Sequence, residues 1–229
     1  MIYNFYQHIN ENISKKYGLN VKNKSILFTD IKGSSDLWKT SEDEMFKSLI
    51  EHEKQVIKIA DKFHGEILKS IGDSFMIIFE NLLNSIKFSI ELQKEINKNP
   101  LKIKNKKLFI RIGICFGEVF EYESKRQNKI LIDYFGNIVN TASRMEAKVS
   151  DEKGFAFSYF GDIENKKEID DLVEKECKVE IIDFKEKCSK DSKRKRSERL
   201  LSDSHKYLCE PLSNLKGVNA VTSYKCNLK

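Results

Sequence analysis

Apolar residues along the chain follow two spacings, one typical of strands and one typical of helices. Alternation over 108–118 (LFIRIGICFGE) predicts a strand. Apolar segments predict another strand at 25–31 (SILFTDI) and two more on either side of Gly72 and Asp73, within 66–79 (EILKSIGDSFMIIF). The glycine and the aspartate between these last two strands predict a turn.

Apolar residues at steps of three and four predict helices in the same part of the chain. The predicted helices cover 1–20, 42–63, 82–97 and 136–148. After the N-terminal helix, the elements therefore follow one another as strand, helix, strand pair, helix and strand. This order predicts an α+β fold in which a mostly antiparallel sheet carries its helices on one face.

The connections and the C-terminal third have weaker patterns. Residues 33–35 (GSS) predict a turn, and Pro100 begins a predicted loop. Beyond residue 153, the segments GFAFSYF, KVEIIDF and VTSYKC predict strands, with an acidic helical segment between the first two.

Composition excludes several protein classes. Hydrophobic residues make up 40% of the 229, but no apolar run approaches the length of a bilayer span, so we expect no membrane partner. The N-terminal segment lacks the basic start and apolar stretch of a signal peptide, which indicates a cytoplasmic protein. The five cysteines contain no CxxC pair and the four histidines no paired ligand spacing, so we expect neither a disulfide framework nor a zinc site.

Most of the net charge of +6 lies in one short segment. Residues 185–199 (KEKCSKDSKRKRSER) hold eight basic and three acidic side chains. A run of this kind is usually a solvated loop or helix face, and contact with a polyanion is the alternative. Because no nucleic-acid recognition motif accompanies it, we expect no nucleic-acid partner.

Two aspartates occupy positions that favour metal binding. Asp30 ends the first predicted strand, and Asp73 lies in the turn between the next two. If these strands are neighbours, the carboxylates meet at one end of the sheet and repel each other unless a cation lies between them. Mg²⁺ suits such a site, because one or two protein carboxylates and substrate phosphates complete its coordination. Two such ions would promote in-line displacement at phosphorus. The alternative for each aspartate alone is a structural role in its turn.

Asn140 and Arg144 are four residues apart in GNIVNTASRMEAK, so they share one face of a predicted helix. A guanidinium binds phosphate in a bidentate way, and an amide beside it can bind a ribose oxygen. Both roles suit phosphoryl transfer, where catalysis consists mainly of positioning and charge stabilisation. The alternative is a surface helix on which Arg144 pairs with Glu146 or Asp133.

Four motifs together resemble the catalytic domain of the class III nucleotidyl cyclases. They are FTDIKGS at 28–34, LKSIGDSF at 68–75, RIGICFGEV at 111–119 and DYFGNIVNTASRME at 133–146. Their order and spacing are similar to the family's over residues 25–150, which we take as the catalytic core. Residues 1–24 are then an N-terminal helical segment. Residues 151–229 are the C-terminal part of the domain, with a basic insertion near 185–199.

The resemblance implies a ferredoxin-like β-α-β-β-α-β core and a homodimer with active sites in its interface. It also implies that Asp30, Asp73 and the Ile31 carbonyl hold two Mg²⁺ or Mn²⁺ ions. In this family the metal-binding aspartates and the residues for ribose, base and transition state come from opposite protomers. A monomer is therefore expected to be inactive.

Roles for further residues also follow from the resemblance. Phe28 and the turn after Ile31 would lie against the phosphates, and Arg111 would contact the triphosphate. Asn140 would orient the ribose, and Arg144 would stabilise the transition state. The implied reaction converts a nucleoside triphosphate to a 3′,5′-cyclic nucleotide and pyrophosphate.

Lys69 and Asp133 match the family's base-selecting pair. Lysine donates and aspartate accepts, which fits the acceptor and amino group of adenine or cytosine and fits guanine or uracil poorly. ATP and CTP both stay open on this ground. We expect no sensor or transmembrane domain, and small stand-alone cyclases of this kind are similar to the pyrimidine cyclases of bacterial anti-phage systems, whose product activates a separate effector protein. We therefore favour conversion of CTP to cCMP, with ATP as the alternative.

Some features depart from the family pattern. Cys115 stands where cyclases often have histidine, and Lys216 is a single lysine where the family often has KGKG. Residues 150–214 match nothing in the family and hold the basic segment, which is either a solvated insertion or a partner surface. A catalytically inactive module that binds nucleotide or a partner is the alternative of another class. It is disfavoured because inactive domains usually lose a metal-binding or transition-state residue, and this chain has the full set.

Overall fold

The computed structural model describes residues 2–126, 129–148, 150, 153–183 and 222–229. Helices within these residues are α1 (Ile2–Tyr17), α2 (Ser34–Thr40), α3 (Glu42–Lys62), α4 (Leu82–Lys98), α5 (Asn137–Lys148) and α6 (Lys166–Glu176). Strands are β1 (Asn20–Ile31), β2 (Glu66–Ile71), β3 (Ser74–Phe79), β4 (Lys102–Ile103), β5 (Lys106–Lys107), β6 (Ile110–Arg126), β7 (Lys129–Phe135), β8 (Gly154–Tyr159), β9 (Cys177–Asp183) and β10 (Thr222–Leu228). The basic segment 185–199 and Lys216 lie outside the described residues.

The strands form one large sheet and a separate short hairpin. The order in the large sheet is β2-β3-β1-β6-β8-β10-β9, with β7 paired to β6 beside this path. The pair β6–β8 is parallel, and the other pairs in the sheet are antiparallel. In the order β2-β3-β1-β6, α3 connects β1 to β2 and α4 connects β3 to β6. This is the predicted β-α-β-β-α-β core, and the predicted α+β class is confirmed.

Both faces of the central strands are buried, by different helices. Leu27 of β1 and Ile77 of β3 pack in a core with residues of α3 and α4. Successive strand residues point to opposite faces, so their neighbours Ile26 and Ile78 pack in a second core, which includes Ala142 of α5. The core helices α3 and α4 share one face as predicted, whereas α5 covers the other. The prediction that the helices lie on one face of the sheet is therefore correct for α3 and α4, whereas α5 lies on the opposite face.

The two core helices begin where polar side chains bind their free backbone N–H groups. The side chain of Ser41 accepts a hydrogen bond from the Glu44 N–H, and Asn81 Oδ1 accepts one of 2.9 Å from the Asn84 N–H. Caps of this kind contribute about 1 kcal/mol each. They define where α3 begins after α2 and where α4 begins after β3.

Strand β6 and helix α5 are in direct backbone contact at Gly113. A Cβ built on Gly113 would lie 2.1 Å from the Glu146 nitrogen and 2.3 Å from the Ala142 carbonyl oxygen. Only glycine therefore allows this approach, and the contact fixes the C-terminal half of α5 relative to β6.

We expect Gly113→Ala to lower the free energy of unfolding by about 3 kcal/mol, because the added methyl group overpacks two backbones that cannot separate cheaply. Urea denaturation followed by circular dichroism measures the loss. Gly18→Ala is the control, since nothing lies within 4 Å of a Cβ there and only the cost of its positive φ of 62° remains. Equal losses in the two variants would contradict the steric explanation.

The turn predicted at residues 33–35 is confirmed at Gly33, but Ser34 and Ser35 already belong to a helix. Gly33 adopts a φ of 73°, and α2 begins at the next residue. Leu37 and Trp38 of α2 pack against the larger core. The partial burial of these two side chains explains why a short helix follows the turn.

Two other segments also contain more structure than predicted. The loop after Pro100 includes the hairpin β4–β5, whose turn residues Lys104 and Asn105 have positive φ. Strand β1 begins at Asn20, earlier than the predicted 25–31, and the division of the chain at residues 24 and 150 stays a prediction. Among the described residues, no helix has the length and hydropathy needed to span a bilayer.

Candidate active site

Asp30 and Asp73 meet at one end of the sheet. Thr29 of β1 is paired with Phe75 of β3, so the end of β1 lies beside the turn that joins β2 to β3. The Ser74 hydroxyl donates a 2.8 Å hydrogen bond to Asp30 Oδ1, and the Ile31 N–H donates one of 3.2 Å to Asp73 Oδ2. The two aspartates are therefore held by neighbouring residues of one site.

The turn that carries Asp73 depends on a glycine. Gly72 has a φ of 64°, a conformation that glycine adopts without a steric cost. Ser74, the residue after Asp73, is the first of β3 and already contacts Asp30. The order Gly-Asp at this hairpin thus places the carboxylate on the side that faces β1.

Arg111 enters the same site from β6. It is the register partner of Asp30, and its Nη2 contacts Asp30 Oδ2. Its Nε lies 2.8 Å from Oε1 of Glu146, a residue of α5 that is 8% exposed. One guanidinium therefore lies between a carboxylate of the sheet and a carboxylate of the helix.

Negative charge exceeds positive charge among these side chains. Burial raises the pKa of Asp73 above its usual value, and the neighbouring charge of Asp30 raises it further. Burial raises the pKa of Glu146 to about 7; Arg111 opposes this shift, whereas Asp30 and Asp73 add to it. Asp30 and Glu146 share the guanidinium of Arg111, and the charge of Asp73 acts on Glu146 as well, so a cation would stabilise this group of carboxylates.

The donors present suit a hard divalent cation that is completed by phosphate. No group of three or more His, Cys, Asp or Glu side chains with metal-binding geometry occurs among the described residues. Mg²⁺ usually takes one or two protein carboxylates and leaves its other positions to water and substrate phosphates. Asp30, Asp73 and the Ile31 carbonyl fit this pattern.

Lys69 and Asp133 form a second polar group. Lys69 Nζ donates to both carboxylate oxygens of Asp133 at 2.8 Å, and the Tyr134 N–H donates to Asp133 Oδ1 at 2.8 Å. The two side chains are 39% and 34% exposed, so a ligand can reach them. The structure thus brings together one donor and one acceptor that are far apart in the sequence.

The remaining predicted residues lie on β1 and α5. Phe28 is partly buried against the core that α5 covers. Asn140 is exposed and Arg144 is half-buried, both on α5. The two acidic residues considered as partners for Arg144 have other contacts, Glu146 with Arg111 and Asp133 with Lys69.

Sequence reasoning missed the place of Glu146 in this site and treated it only as a possible partner of Arg144. A signal was available, because Glu146 follows Ala142 by four residues and therefore lies on the same side of the helix as that small apolar residue. Small residues on a helix often mark a close approach to another element. The glycine that receives α5 is 33 positions earlier in the chain, at Gly113, and no local pattern links the two.

His52 is a further buried polar residue that sequence reasoning did not assign. It lies on α3 between Met45 and Val56 on the buried stripe, with its ring centroid 5.6 Å from that of Phe75. Neither ring nitrogen has a hydrogen-bond partner among the described residues. Burial lowers the pKa of His52 to about 4, although the charge of Asp30 opposes the shift.

We expect His52 to make the protein sensitive to acid. Unfolded histidine binds a proton near pH 6.5, whereas folded His52 binds one only near pH 4, so the unfolded state gains protons first. The free energy of unfolding should fall by about 3 kcal/mol from this source between pH 6.5 and pH 4. Urea denaturation at pH 7 and pH 4 should show a smaller loss in His52→Phe than in the original chain. The same loss in both proteins would assign the acid sensitivity to other groups.

Residues 17–154 match the family model described as the adenylate and guanylate cyclase catalytic domain. The match spans more than half of the chain and includes both polar groups described above. The chain belongs to this family. The resemblance to the class III cyclase catalytic domain is thereby confirmed as membership of the family.

Curated members of the cyclase family share limited identity with this chain. An adenylate cyclase from Podospora anserina is 28% identical over 141 residues, and receptor-type adenylate cyclase B from Leishmania donovani is 29% identical over 75 residues. The matches cover 54% and 33% of this chain but 6% of each relative. The chain therefore spans only a small part of the length of these relatives.

Solved cyclase domains share the fold over most of the chain. The guanylate cyclase domain of RhGC from Catenaria anguillulae, in complex with GTP, aligns with a TM-score of 0.61 and 16% identity, covering 92% of this chain and 99% of that chain. The adenylyl cyclase CyaB from P. aeruginosa aligns with a TM-score of 0.55 and 18% identity, covering 91% and 95%. At this identity the similarity shows the cyclase fold.

Proposed function

We propose that this cyclase-family chain converts a nucleoside triphosphate to a 3′,5′-cyclic nucleotide and pyrophosphate. The observation that supports this most is the meeting of Asp30, Asp73 and Arg111 at one end of the sheet. Two carboxylates provide cation ligands, and the guanidinium beside them provides a contact for a phosphate. Phosphoryl transfer needs these components in one place.

In the proposed reaction, the 3′-hydroxyl attacks the α-phosphate and pyrophosphate leaves. Asp30, Asp73 and the Ile31 carbonyl would hold two Mg²⁺ or Mn²⁺ ions, which lower the pKa of the hydroxyl and stabilise the leaving pyrophosphate. Phe28 lies against the phosphates and Arg111 binds the triphosphate. Asn140 orients the ribose, and Arg144 stabilises the charge on the α-phosphate in the transition state.

Lys69 and Asp133 would select the base. Lys69 donates and Asp133 accepts, and their 2.8 Å contact brings donor and acceptor together at one accessible place. Adenine and cytosine present the complementary pair of groups. We favour CTP because of the resemblance to pyrimidine cyclases. ATP is the second candidate, since the relatives from Podospora anserina and Leishmania donovani are named adenylate cyclases.

We further propose a homodimer in which each active site uses residues of both protomers. Arg144 and Glu146 are two residues apart, which is about 200° around a helix, so they point in different directions. Glu146 points toward Arg111 and Asp30 of its own chain. Arg144 is therefore directed away from that carboxylate site, which supports its action in the site of a second protomer.

The biological setting is part of the same proposal. The cyclic nucleotide would act in the cytoplasm as a second messenger for a separate effector protein, as in the anti-phage systems that the sequence resembles. A protein without catalytic activity but with the same fold would bind nucleotide and release no messenger, so detection of a product separates the two functions.

The direct test is incubation of the purified chain with each of the four nucleoside triphosphates and Mn²⁺, with mass spectrometry of the products. We expect cyclic CMP or cyclic AMP together with pyrophosphate, and little product from GTP or UTP. Cyclic AMP alone would overturn the preference for CTP. The absence of a cyclic product with all four substrates would overturn the proposed activity.

A further inference from the structure

Arg111 is shared by two carboxylates of different kinds. Asp30 is a proposed cation ligand, whereas Glu146 has no role among the residues assigned so far. Arg111 Nη2 contacts Asp30 Oδ2, and Arg111 Nε lies 2.8 Å from Glu146 Oε1. The Nη1 group donates a 3.5 Å hydrogen bond to the Ala147 carbonyl. The guanidinium therefore bridges the sheet and the helix.

The contact with Glu146 is close but incomplete. Nε of Arg111 and Oε1 of Glu146 are both buried, and neither has a hydrogen-bond partner among the described residues. Their separation is that of an ion pair, but their directions are not those of a hydrogen bond. A small rotation of the guanidinium toward α5 would complete the bond and satisfy two buried polar atoms.

The position of Glu146 is fixed by the backbone. Its nitrogen is in van der Waals contact with Gly113, two residues from Arg111 on β6. A Cβ on Gly113 would lie 2.1 Å from this nitrogen, so the close approach of α5 to β6 depends on glycine at this position. The backbone contact thus places Glu146 beside the guanidinium of Arg111.

A cation on Asp30 and the guanidinium of Arg111 compete for one carboxylate. Both are positive, so binding of a divalent cation to Asp30 weakens the contact of Arg111 with Asp30. An arginine that loses this partner needs another acceptor to stay beside the phosphate-binding site. Glu146 is the carboxylate already within reach.

We propose that Glu146 is a positioning residue that receives Arg111 when a divalent cation occupies Asp30. Without the cation, Arg111 neutralises Asp30 and competes with metal binding. With the cation, Arg111 pairs with Glu146 and stays available to the triphosphate. The proposal rests on the proposed metal site, and it concerns a residue to which neither the reaction nor base selection assigns a role.

The proposal makes opposite predictions for two single variants. Arg111→Gln removes the competitor and should tighten Mn²⁺ binding by roughly five- to tenfold. Glu146→Gln keeps an acceptor oxygen but removes the negative charge that attracts the guanidinium, so Arg111 stays on Asp30 and Mn²⁺ binding should weaken by roughly fivefold. Glu168→Gln, on α6 and exposed, is the control for loss of one negative charge and should leave Mn²⁺ affinity within about twofold.

The experiment is titration of Mn²⁺ into the full chain without nucleotide, followed by the electron paramagnetic resonance signal of the free ion. In the Arg111→Gln background, Glu146→Gln should change the affinity by less than about twofold, since the competitor is absent. If Glu146→Gln weakens Mn²⁺ binding equally in the original chain and in Arg111→Gln, the cause is a general effect of charge, and the proposal is overturned. Unchanged affinity in Glu146→Gln, or no Mn²⁺ binding to the original chain, would also overturn it.

A second arginine variant covers the case in which Arg111→Gln does not fold. Lysine lacks the planar fork by which the Arg111 guanidinium reaches Asp30 and Glu146 together, so the effect of Glu146→Gln should also fall below about twofold in an Arg111→Lys background. Circular dichroism of each variant verifies the fold. Product formation by the original chain, measured in parallel, separates a failure of this proposal from a failure of the cyclase function.

Discussion

Replacement of Asp73 with asparagine is expected to lower cyclic nucleotide formation by about a hundred- to a thousandfold. Asparagine keeps the shape of the side chain and the acceptor for the Ile31 N–H, which donates to Asp73 Oδ2 at 3.2 Å. What it removes is the negative charge that a divalent cation requires. The measurement is the initial rate of product formation with saturating Mn²⁺ and the preferred nucleotide.

The same variant should fold at least as well as the original chain. Burial and the charge of Asp30 raise the pKa of Asp73, so its ionised form is disfavoured in the folded state. Removal of that charge therefore should not lower the free energy of unfolding at pH 7. Asp170→Asn, at an exposed position of α6, should retain full activity. If Asp73→Asn keeps more than about a tenth of the activity, the carboxylate is not a metal ligand of the reaction.

The metal-binding end of the sheet could be predicted from sequence because its determinants are local. Asp30 ends one apolar strand, and Gly72 and Asp73 form the turn between the next two strands. Hydrophobic patterning alone therefore locates both carboxylates at strand ends. The structure confirms that these strands are neighbours and that the two aspartates meet. The positive φ of Gly72 explains why the order Gly-Asp is found there.

The environment of these aspartates could not be predicted, because it depends on contacts between distant segments. The approach of α5 to Gly113 brings Glu146 to Arg111, and periodicity within α5 does not specify which strand face it covers. The consecutive apolar residues Ile26 and Leu27 indicate that both faces of β1 are buried. The sequence pattern does not specify which helix covers which face. Local spacing thus locates the carboxylates, and tertiary packing sets their charge balance.

Activity is expected to return when two inactive variants are mixed, provided that each site uses both protomers. Asp30→Asn removes a proposed metal ligand, and Arg144→Ala removes the proposed transition-state contact. Each alone should lose about a hundredfold or more of the activity. In a mixed dimer, one site carries both changes and the other carries neither. With random exchange at equal concentrations, roughly a quarter of the original activity should return.

The control for this recovery combines two variants of the same half-site. Asp30 and Asp73 are held by neighbouring residues of one chain, through Ser74 and Ile31, so a mixture of Asp30→Asn and Asp73→Asn leaves every site of a mixed dimer with a defect. That mixture should stay inactive. Recovery in the first mixture alone requires that Arg144 act on the carboxylates of the other protomer, as its direction away from Glu146 on α5 implies. If neither mixture recovers although both variants form dimers, Arg144 and Asp30 act within one chain, and the shared site is wrong.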